Sequence, residues 1–359
     1  MKKNLILLLC FMYIGSAMAA DESLVVSLFE GEDVADINTK AEKDGDEGGI
    51  FSFLNFKKDK NKSSNLNVAD KKRLSVEDQT IKLAEAGDVE AQLLLGYSYL
   101  YGENNFPVNY EKSFEYYAKA SLQGNPIALN NLGSLYYSGV GVDRNSAKAG
   151  ILFEKSANLG NVEAAVNLGF ILISGNGQEK NPQLAMQYFE KASKAGNAIA
   201  DFMVGYAHYK GVYRDKDFAK AAQLIKKSAI AGFDEAQYVL AQMYINGHGV
   251  PQNYGNAVKN LKAAVTQGSV EAMADLGYIL AQGEKYAKDL YAAHIMYNIA
   301  AVYGAYGAAE LRDEIGAKLK INTLLQAQAE AERYSAKPSE LSKYIRQTFG
   351  ANVRQYFDF

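Results

Sequence analysis

The sequence is poor in the residues that build disulfide, metal and redox sites. It contains one cysteine, three histidines and no tryptophan. A single cysteine excludes a disulfide framework, a structural thiolate zinc site and an iron–sulfur cluster. His208, His248 and His294 have no cysteine or carboxylate neighbour at ligand spacing, and a metal site needs three or four converging donors. We therefore expect neither a metal nor a cofactor.

Catalytic motifs are also missing. The sequence has no H-E-x-x-H, no G-x-x-x-x-G-K-[ST] and no G-x-S-x-G, which are motifs of zinc, phosphate and serine-hydrolase chemistry. The pair Gly139-x-Gly141 and its equivalents lie in helix–helix turns, which favours a structural turn over a phosphate loop. No carboxylate has a burial pattern that predicts a raised pKa. We expect a protein that is not an enzyme, with a hydrolase of cell-wall or β-lactam-like substrates as the alternative.

Charge of one sign is not in excess. Lys and Arg total 38, Asp and Glu total 41, and the net charge is −3. This balance gives no global attraction to nucleic acid or anionic lipid. The hydrophobic fraction of 48% is sufficient for a core, and the 25 tyrosines are an unusual feature.

The beginning of the sequence has the pattern of a secretory signal peptide. Residues 1–19 start with two lysines, continue with an apolar run over 5–14 and end in small residues at Ala19. The run is too short for a permanent membrane helix, which needs about 20 residues. Cleavage after Ala19 would also remove Cys10. We expect an exported protein, periplasmic or secreted, with no integral membrane segment after cleavage.

The next segment has segregated charge. Residues 20–48 carry ten acidic side chains, and residues 57–73 carry seven basic ones. Such composition predicts a mostly disordered arm over 20–73. The alternative is that four aromatic and aliphatic residues between the two blocks form a docking motif for a partner or for the solenoid itself. These are Phe51, Phe53, Leu54 and Phe56.

Glycines then recur at a period of 36 or 37 residues. One series is Gly87, Gly124, Gly160, Gly196, Gly232, Gly268 and Gly304. A second series is Gly102, Gly139, Gly175, Gly211, Gly247 and Gly283. Between them lies a paired position, namely Leu95-Gly96, Leu132-Gly133, Leu168-Gly169, Val204-Gly205, Leu240-Ala241 and Leu276-Gly277. Three marks in register over six copies establish an internal repeat.

Each repeat predicts two helices, A and B. The small residue of the paired position should let a neighbouring helix approach closely, and the second glycine should end helix A where positive φ is needed. Asn181, Asp217, Asn253 and Asp289 are candidate N-caps of helix B. A single hairpin of this length cannot bury its apolar side alone, so the copies should stack.

The repeat resembles the Sel-one-like repeat family. The shared pattern is A-x-x-x-L-G-x-x-Y-x-x-G-x-G followed by an apolar or aromatic pair and G-N, and its clearest copy runs from Ala128 to Asn161. The resemblance implies an all-α fold, a right-handed α-solenoid of stacked αα hairpins related to tetratricopeptide repeats. Three copies depart from the pattern, with Asn104, Tyr213 and Lys285 in place of the second loop glycine. We expect these departures to reshape loops only.

The expected organisation follows from the repeat and its flanks. It comprises a signal peptide at 1–19, the arm at 20–73, an N-terminal capping helix at 74–90, repeats at 91–127, 128–163, 164–199, 200–235, 236–271 and 272–304, C-terminal capping helices at 305–337 and a tail at 338–359. The tail ends in aromatic residues, which we expect to pack on the last helix.

The predicted binding surface is the concave face lined by the A helices, by analogy with tetratricopeptide repeats. Positions three before, one after and four after the paired small residue share one helix face, and tyrosine is a frequent interface anchor. The alternative is that these rings pack between neighbouring helices. The candidate partner-binding residues are Leu93, Tyr97, Asn130, Ser134, Tyr137, Phe170, Phe202, Tyr206, Tyr209, Tyr238, Gln242 and Tyr278.

The sequence therefore predicts a non-enzymatic scaffold that binds a protein or peptide partner. The resemblance implies that exported members in intracellular pathogens act in host-cell entry or vesicle trafficking through host proteins. The alternative is a periplasmic adaptor or regulator of envelope assembly or cell-wall enzymes. Neither the scaffold nor the periplasmic adaptor is expected to bind nucleic acid.

Overall fold

The computed structural model describes residues 75–350 and 352–357. Over these residues the regular structure consists of 16 α-helices and one 3₁₀ helix, with no strand. The expected signal peptide and charged arm lie outside the described residues. The chain divides between Lys180 and Asn181 into two compact units.

The first unit contains three A helices and two B helices, preceded by one more helix. They are α1 (Val76–Glu85), α2 (Val89–Tyr101), α3 (Tyr110–Leu122), α4 (Pro126–Ser138), α5 (Ser146–Asn158) and α6 (Val162–Ser174). The A helices are α2, α4 and α6. Helix α1 packs on α2.

The second unit begins with a B helix and continues through three further repeats to the C-terminal elements. Its helices are α7 (Pro182–Lys194), α8 (Ala198–Lys210), α9 (Phe218–Ile230), α10 (Asp234–Asn246), α11 (Tyr254–Thr266), α12 (Val270–Gln282), α13 (Leu290–Val302), α14 (Ala308–Gly316), α15 (Ile321–Glu332), α16 (Glu340–Thr348) and the 3₁₀ helix Val353–Phe357. The A helices are α8, α10 and α12. Helices α14 and α15 pack on α13.

The helix ends form as the sequence predicts. The second glycine series ends every A helix in the left-handed region, with Gly102 at φ 77° and Gly139 at φ 69° as examples. The predicted N-caps of the B helices also act as caps, since Asn181 and Asp217 accept hydrogen bonds from backbone N–H groups two or three residues into their helices. Local hydrogen bonding therefore fixes the boundaries of the hairpins.

The small residue of the paired position allows helices A and B of one repeat to touch. A Cβ atom on Gly96 would lie 2.7 Å from the ring of Tyr117, and one on Gly133 would lie 2.8 Å from the ring of Phe153. Real Cβ atoms do not approach so closely, because packed interiors contain no room for the overlap. In these two repeats, the glycine of helix A therefore packs directly against the second residue of the apolar or aromatic pair in helix B.

Two of the three departures from the loop pattern keep the backbone conformation of the missing glycine. Asn104 has φ 53° and Tyr213 has φ 62°, whereas the glycine at the equivalent position 141 has φ 69°. Asparagine enters this region readily, but a bulky residue there is strained. Tyr213 therefore strains its turn, whereas Asn104 adopts the same conformation at little cost.

No helix in residues 75–350 and 352–357 is long and apolar enough to cross a membrane. The longest helices have 13 residues, whereas a span needs about 20.

Candidate functional site

The structure divides the twelve predicted binding residues into three classes of exposure. Asn130, Ser134, Phe170, Phe202 and Tyr206 are buried. Leu93, Tyr97, Tyr137, Tyr209, Tyr238 and Gln242 are half-buried. Tyr278 alone among the twelve is exposed, at 58%.

In the first unit, Asn130 and Ser134 lie inside rather than at a surface. Asn130 is completely buried, and its side-chain oxygen accepts a hydrogen bond of 3.0 Å from Nδ2 of Asn167 on α6. The Ser134 hydroxyl donates to the carbonyl oxygen of Asn130 at 3.0 Å. The outward placement expected of both residues is therefore corrected, because buried polar groups must find their partners among neighbours.

Phe170, Phe202 and Tyr206 are buried for another reason. Eleven of the thirteen residues of α6 and ten of the thirteen residues of α8 are buried, and a helix buried all round has no outward face. In the second unit, Phe202 stacks on Tyr206 with 5.4 Å between ring centroids and meets Phe233 edge-on at 4.9 Å. The outward placement of these three rings is corrected as well.

The half-buried residues of the first unit also have partners. The ring of Tyr97 lies 4.6 Å from that of Tyr101, and Leu93 packs in the same apolar cluster. The hydroxyl of Tyr137 accepts a hydrogen bond of 3.2 Å from Nδ2 of Asn176. These residues retain part of their surface, which leaves them available for contact with a partner.

In the second unit, the C-terminal residues of the same chain contact all three A helices. The described residues 334–350 and 352–357 overlap the tail expected at 338–359 and are called the tail from here on. They pass the turn before α12 and then the turn before α10, and Phe357 lies beside α8. The residues that receive the tail are called the tail site. They are Tyr206, Tyr213, Gly232, Asp234, Glu235, Tyr238, Gln267 and Glu271.

Hydroxyl groups fix the tail at the turns between repeats. Ser339 Oγ donates to the carbonyl oxygen of Gly232 at 2.8 Å. Ser342 Oγ donates to Gln267 Oε1 at 2.8 Å and accepts from the backbone N–H of Asp234 at 3.1 Å. These backbone groups lie at helix ends and have no partner within their own helix. The tail therefore completes the hydrogen bonding of the repeats it crosses.

Two arginines of the tail meet three carboxylates of the A helices. Arg346 pairs with Asp234. Arg354 lies between Glu235 and Glu271, with nitrogen–oxygen distances of 3.2 and 2.7 Å. The side chains of Asp234, Glu235 and Arg354 are mostly buried, so removal of one partner would leave a buried charge uncompensated.

An aromatic ring anchors the end of the tail. Phe357 is buried and meets Tyr206 edge-on, with 5.2 Å between centroids. Tyr213 lies 5.9 Å from the same ring. This end of the chain is expected on the last helix, whereas it lies on α8, the first A helix of the second unit.

Burial changes the acid–base properties of the tail site. It raises the pKa of Glu235 to about 7, and the charge of Arg354 offsets part of this effect. Burial, together with the Asp275 carboxylate, also raises the pKa of Tyr238, whose ring lies 5.1 Å from the guanidinium of Arg354. The sequence predicts no carboxylate with a raised pKa, and this prediction is wrong for Glu235.

An open cavity of about 630 Å³ adjoins the tail site. The charged residues around Arg354 line it, together with Tyr303 and Tyr306 after α13. The Tyr306 side chain is fully exposed. The cavity therefore combines charged groups with aromatic surface, which suits contact with a polypeptide.

Sequence reasoning missed the three carboxylates and Gln267 of the tail site. Their one signal is position, because Asp234, Glu235 and Glu271 all lie in the first turn of an A helix. In the described part of the chain, no three His, Cys, Asp or Glu side chains form a group that could hold a metal ion.

Two solved structures resemble this chain closely enough to compare folds. A protective antigen of uropathogenic Escherichia coli with an SLR fold is 27% identical, has a TM-score of 0.63 and is matched over 76% of this chain and 62% of its own. This chain thus spans less than two thirds of that antigen. A Sel1 repeat protein of Oxalobacter formigenes is 26% identical, has a TM-score of 0.56 and is matched over 69% of this chain and 99% of its own. No curated protein matches the chain.

The Sel1 repeat model matches six consecutive segments, which together make up more than half of the chain. They are residues 89–125, 126–161, 162–197, 198–233, 234–269 and 270–301. Each begins two residues before the repeat expected from the sequence and so keeps the same phase. Given the stacked helical hairpins and the resemblance to solved Sel1 repeat structures, this chain belongs to the Sel1 repeat family.

Proposed function

We propose that this protein is an exported, non-enzymatic scaffold that binds a protein or peptide partner along the A helices of its repeats. Sel1 repeat proteins are generally protein-interaction scaffolds, and their fold is typically non-catalytic. The observation that carries the proposal is the tail. The A helices of the second unit hold a peptide segment of the same chain through ion pairs, hydroxyl bonds and a ring contact.

The remaining surface of these helices supports the proposal. Tyr278 on α12 is exposed, and Tyr209 and Gln242 are half-buried. Tyrosine contributes a large contact area with few rotatable bonds and a hydroxyl that can hydrogen bond, so it is common at the energetic centre of interfaces.

Export is supported by the signal-peptide pattern over residues 1–19. The similarity to a protective antigen of uropathogenic Escherichia coli supports a role outside the cytoplasm, including contact with a host. The rival is a periplasmic adaptor of envelope assembly. Antibody detection in periplasm, medium and infected host cells separates the two. A chain that stays in the cytoplasm with residues 1–19 attached would contradict both.

The binding face is tested by site-specific photo-crosslinking in the producing cell. A photoreactive residue replaces Tyr278 on the A-helix face or, as the matched control, Ile230 at the end of B helix α9, which is exposed at 77%. We expect a discrete adduct from position 278 and none from position 230. Adducts from position 230 alone would contradict the assignment of the binding face.

A further inference from the structure

One A helix of the second unit lacks a side-chain N-cap of its own, and the tail binds a backbone N–H at its first residue. Helices α8 and α12 are capped by their own Asn197 and Ser269. The residue at this position of α10 is Phe233, which has no side-chain oxygen, and no side-chain cap bond comes from it. Ser342 of the tail accepts from the first N–H of α10 instead. The tail therefore supplies a group that the repeat itself lacks.

Tyr213 also contacts the tail, although its backbone conformation destabilises its own repeat. Its φ of 62° is a strained conformation for a large side chain. In return its ring contacts Phe357, and its hydroxyl donates to the carbonyl oxygen of Tyr356 at 3.3 Å. Strain of this kind persists where surrounding contacts require it, and here those contacts are with the tail.

The tail complements the charge of the surface it covers. The A helices offer Asp234, Glu235 and Glu271, and the tail brings Arg346 and Arg354. The 3₁₀ helix Val353–Phe357 has three residues per turn, which places an arginine and a phenylalanine three positions apart on one side. The recognised chemistry is a basic side chain followed three residues later by an aromatic ring.

From these contacts we infer that the tail is a built-in, displaceable ligand of the tail site, and that the external partner is a peptide segment with two basic side chains followed by an aromatic one. This inference rests on the proposed scaffold function and adds its regulation. The tail holds the site closed until a segment of the same chemistry replaces it.

The elements of the tail are short enough for such an exchange. Helix α16 has nine residues and the 3₁₀ helix has five, and isolated helices of this length are marginal in water. The order of the tail therefore comes from the site. A tether raises the local concentration of the tail to about 1 mM, so a partner must either bind more tightly or gain further contacts.

The adjoining cavity provides those further contacts. It is lined by Glu271 and Arg354 of the charged cluster and by an aromatic wall of Tyr303 and Tyr306. The tail covers this aromatic wall only in part: Tyr303 meets Tyr334 of the tail edge-on, with 6.0 Å between ring centroids, whereas Tyr306 is fully exposed. A longer partner would engage the wall first and then replace the tail from Arg354 onwards.

The test uses the full chain and a fluorescein-labelled peptide with the sequence of residues 338–357. In the released variant, Arg346→Ala, Arg354→Ala and Phe357→Ala together free the tail, and faster hydrogen exchange over 340–348 verifies its release. Fluorescence anisotropy then measures peptide binding. We expect the released variant to bind the peptide about 100-fold more tightly than the unmodified chain, whose tethered tail competes.

Two controls define the outcome. The labelled peptide with Arg354→Ala and Phe357→Ala should not bind the released variant, and Asp234→Asn with Glu271→Gln in the released variant should abolish binding of the unmodified peptide, because these two carboxylates pair with Arg346 and Arg354. Equal peptide binding by the released variant and the unmodified chain would overturn the inference. So would absence of binding to a released variant whose tail exchanges freely.

If the released variant does not fold, a protease site inserted after the exposed Ser335 replaces it. After cleavage of the folded chain, the cleaved tail should dissociate when the sample is diluted. Excess free peptide should make this dissociation faster. A tail that remains bound is a permanent structural element, which overturns the inference. These measurements involve no external partner. They can therefore overturn the inference about the tail while crosslinking from position 278 still supports the scaffold function. Crosslinking can likewise fail while the tail proves displaceable.

Discussion

The two units contain the same glutamine bridge in different surroundings. In the first unit, Gln123 Nε2 donates to the carbonyl oxygen of Gly87 at 3.0 Å and to Gln92 Oε1 at 2.9 Å, and Gln123 is exposed. In the second unit, Gln267 makes the equivalent two bonds, each of 2.9 Å. Gln267 is nevertheless buried, since the tail lies on it through Ser342.

Local sequence therefore does not decide which repeat surface is open. The bridge forms in both units because each glutamine meets the orphan carbonyl at a turn between repeats. Its exposure depends on whether a distant segment arrives. Four experiments test how buried and exposed positions differ in the two units.

The largest expected effect separates a buried from an exposed residue within the predicted binding face. Phe202→Ala removes a ring that is 0% exposed and should lower the free energy of unfolding by about 3–5 kcal/mol. Tyr278→Ala, at 58% exposure, should change it by less than about 0.5 kcal/mol. Urea denaturation followed by circular dichroism measures both. Equal effects would show that the two positions do not differ in packing.

The second experiment addresses the buried polar pair of the first unit. Asn130→Ala leaves Nδ2 of Asn167 without its acceptor and should cost about 1–3 kcal/mol, because the unpaired group stays buried. Asn167→Ala and the double variant complete a thermodynamic cycle by denaturant unfolding. Strictly additive effects would contradict an energetic coupling between the two amides.

The third experiment concerns pH and the tail. Because the pKa of Glu235 is raised to about 7 from an ordinary value of 4.5, its contribution to docking is complete below pH 4.5 and is lost as the pH rises through 7. The charges that face it are those of Arg354, Asp234 and Glu271. Between pH 5 and 8 the docking equilibrium should fall on the order of tenfold.

Limited proteolysis of the tail at matched protease activity measures this equilibrium. Glu235→Gln, which is similar in size and cannot ionise, should flatten the pH dependence. If the docking equilibrium of this variant still depends on pH to the same extent, the titrating group is not Glu235.

The smallest expected effect compares the two residues that replace a loop glycine. Tyr213→Gly relieves positive-φ strain and should raise the unfolding free energy of the repeats by about 1 kcal/mol. The same change removes contacts to the tail and should accelerate tail proteolysis. Asn104→Gly is the matched control in the first unit, with a smaller gain because asparagine tolerates this region. Unchanged tail proteolysis in the Tyr213 variant would contradict its role in holding the tail.

Much of the fold could be predicted from the sequence, and the reason is that its determinants are local. Glycine C-caps, asparagine and aspartate N-caps and the contact of Gly96 with Tyr117 all act within one repeat. The candidate site was less predictable. The spacing of three and four selects a helix face, but it does not reveal that α8 is buried all round or that Asn130 pairs with Asn167.

By itself, the sequence determined the helical hairpins, their phase and their stacking, since each hairpin closes through contacts a few residues apart or within one period. Only the tertiary structure decided which face of the second unit is covered. Ser342 reaches a backbone N–H 108 positions earlier in the chain, and the tail that carries it lies outside the periodic pattern. A contact of this range leaves no regular mark in the sequence, because any segment with suitable hydroxyl, basic and aromatic groups could make it.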